Sequence, residues 1–175
     1  VLSLASGHYS GGIGRDPRHD VLFEPVRIGP KTLPNRFYAV AHCAGFGTEK
    51  PHTQAAFRGL KAEGGWGAVC TEWAPVSADA DETPYVSARL WDEDDARNLA
   101  PMCEETHAHG SLAGIELVHT GVHGETRESR WPLVAPSQLA SYYAPLAVPK
   151  AMELEDVRRI QADWVRAARQ ARSVG

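Results

Sequence analysis

The sequence predicts an α/β protein whose strands run parallel under a cover of helices. Two observations carry this: a strand-then-helix order recurs three times, and each strand is a near-continuous apolar run, the pattern of parallel strands buried under helices. Three units fall short of a closed (β/α)8 barrel, which takes about 250 residues. The pattern alone fits an interrupted barrel and a small open sheet equally.

Residues 1–19 are rich in Gly, Ser and charge without periodicity, which predicts a disordered lead-in. Residues 21–33 read as short extended pieces, punctuated by Gly29-Pro30. Arg36–Val40 is the first strand, ending before the Gly-containing stretch Ala44–Gly47. A helix is predicted from Thr53 to Glu63, with Ala56, Leu60 and Lys61 spaced along it and Gly64-Gly65 as its stop. The second strand is Gly67–Glu72. A loop carrying Asp79, Asp81 and Glu82 leads to the second helix, capped by Asp92 and favoured by Glu93, Asp94 and Asp95 at the positive end of its dipole. Pro101 inside that helix should kink it or cost about 3 kcal/mol. Leu112–Val118 is the third strand, and a long loop runs from His119 to Met152. In the last helix, from near Glu155, Val157, Ile160, Trp164, Ala168 and Ala171 step by three and four, which predicts one buried face.

Composition excludes several classes. Hydrophobic content of 43% and charged content of 23% are those of an ordinary globular protein. A net charge of -4 offers no basic surface for nucleic acid. No apolar run approaches the roughly 20 residues that cross a bilayer, and Val1–Gly7 turns polar too early for a secretory signal. The expected location is the cytoplasm. Cys43, Cys70 and Cys103 are odd in number and form no C-x-x-C, so neither a disulfide framework nor a zinc site is signalled. There is no G-x-G-x-x-G or Walker motif, which leaves a self-contained nucleotide-binding unit unsupported. With Val1 in place of Met and a helix closing at Gly175, the chain is expected to be a fragment truncated at its C-terminus.

In a barrel, chemistry belongs at the C-terminal ends of the strands. Cys43, beside His42, would serve there as a nucleophile or covalent tether, His42 helping to lower its pKa, or else pack as a small hydrophobe. Glu72 would accept hydrogen bonds from a ligand or lie in a surface salt bridge, and Trp73 would wall a cation-binding pocket or sit in the core. Glu116 interrupts an apolar strand and there needs a fixed partner. His119 and His123 have i, i+4 spacing, but in a Gly-containing loop with no third ligand. The acidic segments 79–82 and 92–95 read as solvated loop and cap charge.

These residues also resemble a known family. Leu22-Phe23-Glu24-Pro25, Ile28-Gly29 and Leu33-Pro34-Asn35-Arg36-Phe37 are similar to the lead into the first strand of the Old Yellow Enzyme-like FMN oxidoreductases. With His42-Cys43, Lys61–Trp66, Thr71-Glu72, Ser87–Glu93, Leu112–Leu117 and Pro136-Ser137-Gln138, the chain resembles the amine dehydrogenase branch, in one register from about Asp16 to Gly175. The resemblance implies that residues 20–175 are the N-terminal portion, about three units, of a TIM (β/α)8 barrel that binds FMN. It implies that Cys43 is joined through sulfur to C6 of the flavin, with His42 and the backbone around Ala41 flanking the ring. Glu116 matches the position that binds the pyrimidine edge, where most relatives carry Gln. Glu72 joins this cofactor-binding set, and Trp73 falls where a relative has a Tyr of its cage for the substrate cation. The function so implied is oxidation of a small amine. Electrons pass to FMN, then to a [4Fe-4S] cluster whose cysteines, like the catalytic Tyr-His-Asp group, lie outside this chain, and on to an acceptor protein; the parent is expected to be a homodimer. The alternatives are an NAD(P)H-dependent ene- or dienoyl-reductase of the same family, and a fragment without catalysis.

Overall fold

Three parallel strands and the helices that connect them form the centre of the molecule. The structure, a computed structural model, describes residues 16–82, 87–143 and 147–175. Residues 1–15 of the expected lead-in lie outside the described residues. Its end is ordered: Pro17–Phe23 forms a 3-10 turn, capped by Asp16, which accepts a hydrogen bond from the Arg18 amide at 2.9 Å. A short antiparallel hairpin follows, β1 (Val26–Ile28) with β2 (Lys31–Leu33).

The central sheet runs β3 (Tyr38–Ala39), β4 (Ala68–Pro75) and β5 (Leu112–Val118), all parallel and in sequential order. β3 is shorter than the predicted five residues, and β4 extends three residues past the predicted Glu72. Helix α1 (Pro51–Glu63) joins β3 to β4, α2 (Glu93–Ala108) joins β4 to β5, and α3 (Leu154–Ser173) follows. α1 packs along α2 and α2 against α3, so the helices share one side of the sheet. The other side carries exposed Tyr38, Trp73 and Glu116. Sequential order with one-sided helices is the arrangement of a barrel wall; a doubly wound sheet reverses its order and carries helices on both faces.

Between sheet and helices lies the core. Ala74, Val76, Ala88, Leu90, Ala96, Leu99 and Ala167 form one cluster, and Ala55, Met102 and Cys103 another. α1 begins at Pro51, two residues before the predicted start, a position where its missing N–H is harmless. Its buried face is Gln54, Ala55, Arg58, Gly59 and Ala62, while Ala56 and Leu60 face outward. At Gly59 α1 and α2 approach closely: a Cβ there would lie 2.4 Å from Cγ of Glu105. α2 has the predicted cap, Asp92 accepting from the amides of Asp94 and Asp95, and runs uninterrupted through Pro101.

α3 differs from its prediction in rotation. Ile160 and Ala167 are buried, but Val157, Trp164 and Ala168 are exposed. The helix is turned by its charges: Arg159 pairs with buried Asp79 and with Asp163, and Arg166 with Asp163 and the Val76 carbonyl. The predicted loop after β5 also holds a small parallel pair, β6 (Val134–Ala135) with β7 (Lys150–Ala151). No helix among the described residues is long and apolar enough to cross a membrane.

Candidate functional site

The stretch after β3 carries Ala41 and Cys43, both half-buried, and His42, which is exposed. Burial pushes the Cys43 thiol up to about 11, helped by the negative charges of Glu82, Glu72 and Glu116 and opposed by a hydrogen bond from the Trp73 backbone. The expected lowering by His42 is therefore not found. An exposed imidazole contributes little, and three carboxylates surround the sulfur.

Beyond Cys43 the chain is wound around Glu72. This carboxylate is fully buried. Its Oε2 accepts from the amides of Ala44 at 2.9 Å and Gly45 at 3.1 Å, and its Oε1 from Gly47 at 2.8 Å and Ala88 at 3.2 Å. Gly45 and Gly47 hold φ of +70° and +56°. Such left-handed residues curl a loop into a nest whose N–H groups converge on an anion. On the other side of Cys43, the His42 carbonyl accepts from the guanidinium of Arg58, a fully buried residue of α1. Glu72 is thus neither in a surface salt bridge nor open to a ligand. Arg58 was missed by sequence reasoning; its one signal is its place among Ala55, Gly59 and Ala62.

A register shift turns β4 between Cys70 and Trp73: Cys70 pairs with Gly114, and Trp73 with Glu116, three residues against two. The extra residue is a bulge, which re-aims side chains. Glu72 is carried into the interior, and Trp73, 40% exposed, lies beside Glu116 on the bare face. Glu116 is also exposed, so a buried carboxylate needing a fixed protein partner is not what β5 presents. On the same face, two strands away on β3, the Tyr38 hydroxyl is pushed up to about 12 by its hydrogen bond with Cys70, by burial and by the charges of Cys70 and Glu116. Sequence reading thus named Cys43, Trp73 and Glu116, and the structure places all three along the bare face and its C-terminal rim.

The acidic segment 79–82 is not solvated. Asp79 and Asp81 are buried. Burial alone would raise the Asp79 carboxyl; the nearby His119 ring and hydrogen bonds from Arg159 and Ser77 outweigh it and hold the group far below the usual carboxylate range. Asp81 accepts from the amides of Glu128 at 2.9 Å and Ser129 at 2.8 Å. Burial lifts Glu82 to about 7, with Glu72, Asp81 and Glu128 adding to the rise and a hydrogen bond from Ser87 opposing it. In the second segment, Asp95 is buried and paired with Arg89. His119 lies 3.7 Å from Asp79, while His123 meets Ser141 at 2.9 Å, so the two histidines serve different partners. Among the described residues no group of three or more His, Cys, Asp or Glu could hold a metal ion.

Known proteins share this fold and much of this sequence. The chain is 44% identical over 169 residues to dimethylamine dehydrogenase of Hyphomicrobium sp. (strain x), covering 93% of this chain and 23% of that protein. Histamine dehydrogenase from Rhizobium sp. 4-9 superposes with a TM-score of 0.85 at 38% identity, over 92% of this chain and 25% of that one. 6-Hydroxypseudooxynicotine amine oxidase from Pseudomonas geniculata N1 superposes at 0.87 with 34% identity, over 92% and 24%. The chain therefore spans about a quarter of the length of these relatives. The three β/α units are part of a TIM barrel, the fold they share with an old yellow enzyme homologue from Zymomonas mobilis and with morphinone reductase. The family model of the NADH:flavin oxidoreductase / NADH oxidase family matches residues 21–175, and the chain belongs to that family.

Proposed function

We propose that the full protein oxidises a small amine with FMN held on the bare face of the sheet. One observation carries the reading: an unpaired, half-buried thiol, Cys43, stands at the rim of a face lined by Trp73 and Glu116. The donor set fits FMN. The carboxylate of Glu116 is an acceptor for the imide N–H of the pyrimidine ring, and Cys43 supplies a sulfur for a thioether to the benzenoid ring. The exposed indole of Trp73 offers a π-face to an ammonium group, an attraction of about 0.5–2 kcal/mol. FMN, when bound, supplies the redox chemistry, taking up a hydride equivalent and releasing electrons one at a time.

The similarity to dimethylamine and histamine dehydrogenases supports an amine substrate. In this reading the electrons leave through a [4Fe-4S] cluster to an acceptor protein. The cluster's cysteines are expected outside this chain; Cys70 and Cys103 are buried.

The test is flavin release from the full-length protein. Acid precipitation should leave the flavin with the polypeptide in the wild type and free it in Cys43→Ser. Flavin released intact from the wild type overturns the linkage. Bleaching of the flavin by NADPH, with no response to dimethylamine or histamine, overturns the amine substrate in favour of an ene-reductase.

A further inference from the structure

Cys43 stands between two fully buried charges of opposite sign. On its N-terminal side the His42 carbonyl is held by Arg58, and on its C-terminal side the amides of Ala44, Gly45 and Gly47 are held by Glu72. No side chain of the loop itself makes these bonds. The loop is fixed through its backbone from α1 and β4, and the Cys43 side chain, which bears no disulfide and takes a hydrogen bond from the Trp73 backbone, stands at the rim. With four backbone donors on its two oxygens, Glu72 has its acceptor capacity filled. It cannot also serve a ligand. Burying one such charge without its partners would be strongly unfavourable, so both must answer to a requirement at this loop.

We propose that Glu72 and Arg58 are positioning residues for Cys43, clamping backbone 42–47 so that its sulfur is presented to the flavin. This rests on the reading that Cys43 is the attachment point. Attachment exchanges the S–H and one ring C–H for a C–S bond; both hydrogens and an electron pair stay with the flavin, which ends two-electron reduced, so no added oxidant enters. A thiol that burial and surrounding carboxylates keep protonated gains little from being a free thiolate. Its reactivity comes from placement, the kind of gain that fixed geometry gives to bond formation.

The experiment uses the full-length protein and the variants Glu72→Gln, Gly45→Ala and Arg58→Lys. Gly45→Ala meets nothing within 4 Å but strains a φ of +70°, so it loosens the loop without touching either charge. Two quantities are read: the rate at which added FMN becomes acid-stable, and the iodoacetamide alkylation rate of each cysteine in flavin-free protein. Glu72→Gln should slow attachment at least tenfold and change alkylation of Cys43 at least fivefold, with buried Cys70 and Cys103 unchanged as internal controls. Gly45→Ala should show a smaller loss, and Arg58→Lys should retain part of the rate. A general loss of structure would instead raise alkylation at all three cysteines. Attachment and Cys43 alkylation both at wild-type rates in Glu72→Gln overturn the clamp. So does alkylation that rises equally at all three cysteines in every variant. If the wild type retains no flavin, the attachment reading fails, and the clamp is decided by Cys43 alkylation alone. Should Glu72→Gln prove insoluble, Gly45→Ala decides by the same criteria.

Discussion

At the scale of single residues, the site is governed by where carboxylates are buried. Glu82 is the clearest case: its Oε1 is buried without a hydrogen-bond partner, and its folded value near 7 lies above the 4.5 of a free glutamate. The native state therefore keeps a proton that the unfolded chain has released across pH 4.5–7. Stability falls as pH rises through that window and stays reduced above it. Glu82→Gln, neutral at every pH, should raise the melting temperature by several degrees at pH 8 and hardly at all at pH 4.5; equal gains at both would contradict the assignment. Little of this was legible in the sequence. Asp79, Asp81 and Glu82 read as solvated because a local pattern of acids carries no sign of the Arg159 guanidinium or the amides of Glu128 and Ser129 that meet them. The placement of Cys43 after β3 and of Trp73 near the end of β4 was legible because strand position is itself a local property.

At the scale of elements, apolar periodicity and capping chemistry located every major strand and helix, and β5 to the residue. The pattern failed on faces. α1 and α3 are turned by charged residues, buried Arg58 in one and the half-buried, ion-paired Arg159 and Arg166 in the other, so the most apolar stripe is not the buried one. A single extra residue in β4 likewise exchanges the faces of Glu72 and Trp73, which strict alternation cannot foresee. Pro101 sets a test at this scale. It sits in the interior of α2, where it leaves the Arg97 carbonyl without its i+4 donor. Pro101→Ala should stabilise the protein by about 1–3 kcal/mol in denaturant unfolding, with the slope unchanged. An unchanged or lowered midpoint would mean that the helix has already adapted fully to the proline.

At the scale of the whole molecule, the sheet has one clothed side and one bare one. β3 and β5 each pair only with β4 among the described residues, and the bare side exposes Tyr38 and Trp73. Closed barrels leave no such edges. The 175-residue chain by itself is therefore expected to bind a hydrophobic dye and to sediment as more than one copy, and a dye-negative monomer would contradict this. Barrel membership followed from the sequential order of strands, which no composition reveals, together with the matched family. The loop wound on Glu72 has a practical corollary. Everything that grips it comes from residues 42–88: Arg58 of α1, Glu72 of β4 and the amide of Ala88, which helps hold Glu72. On the proposal that Cys43 is the attachment point and is clamped by this loop, an engineer wishing to tether a flavin in another barrel would gain little from a transplanted cysteine alone. The portable unit is the cassette: the thiol, its two left-handed glycines, and the acid and base that grip the backbone from either side.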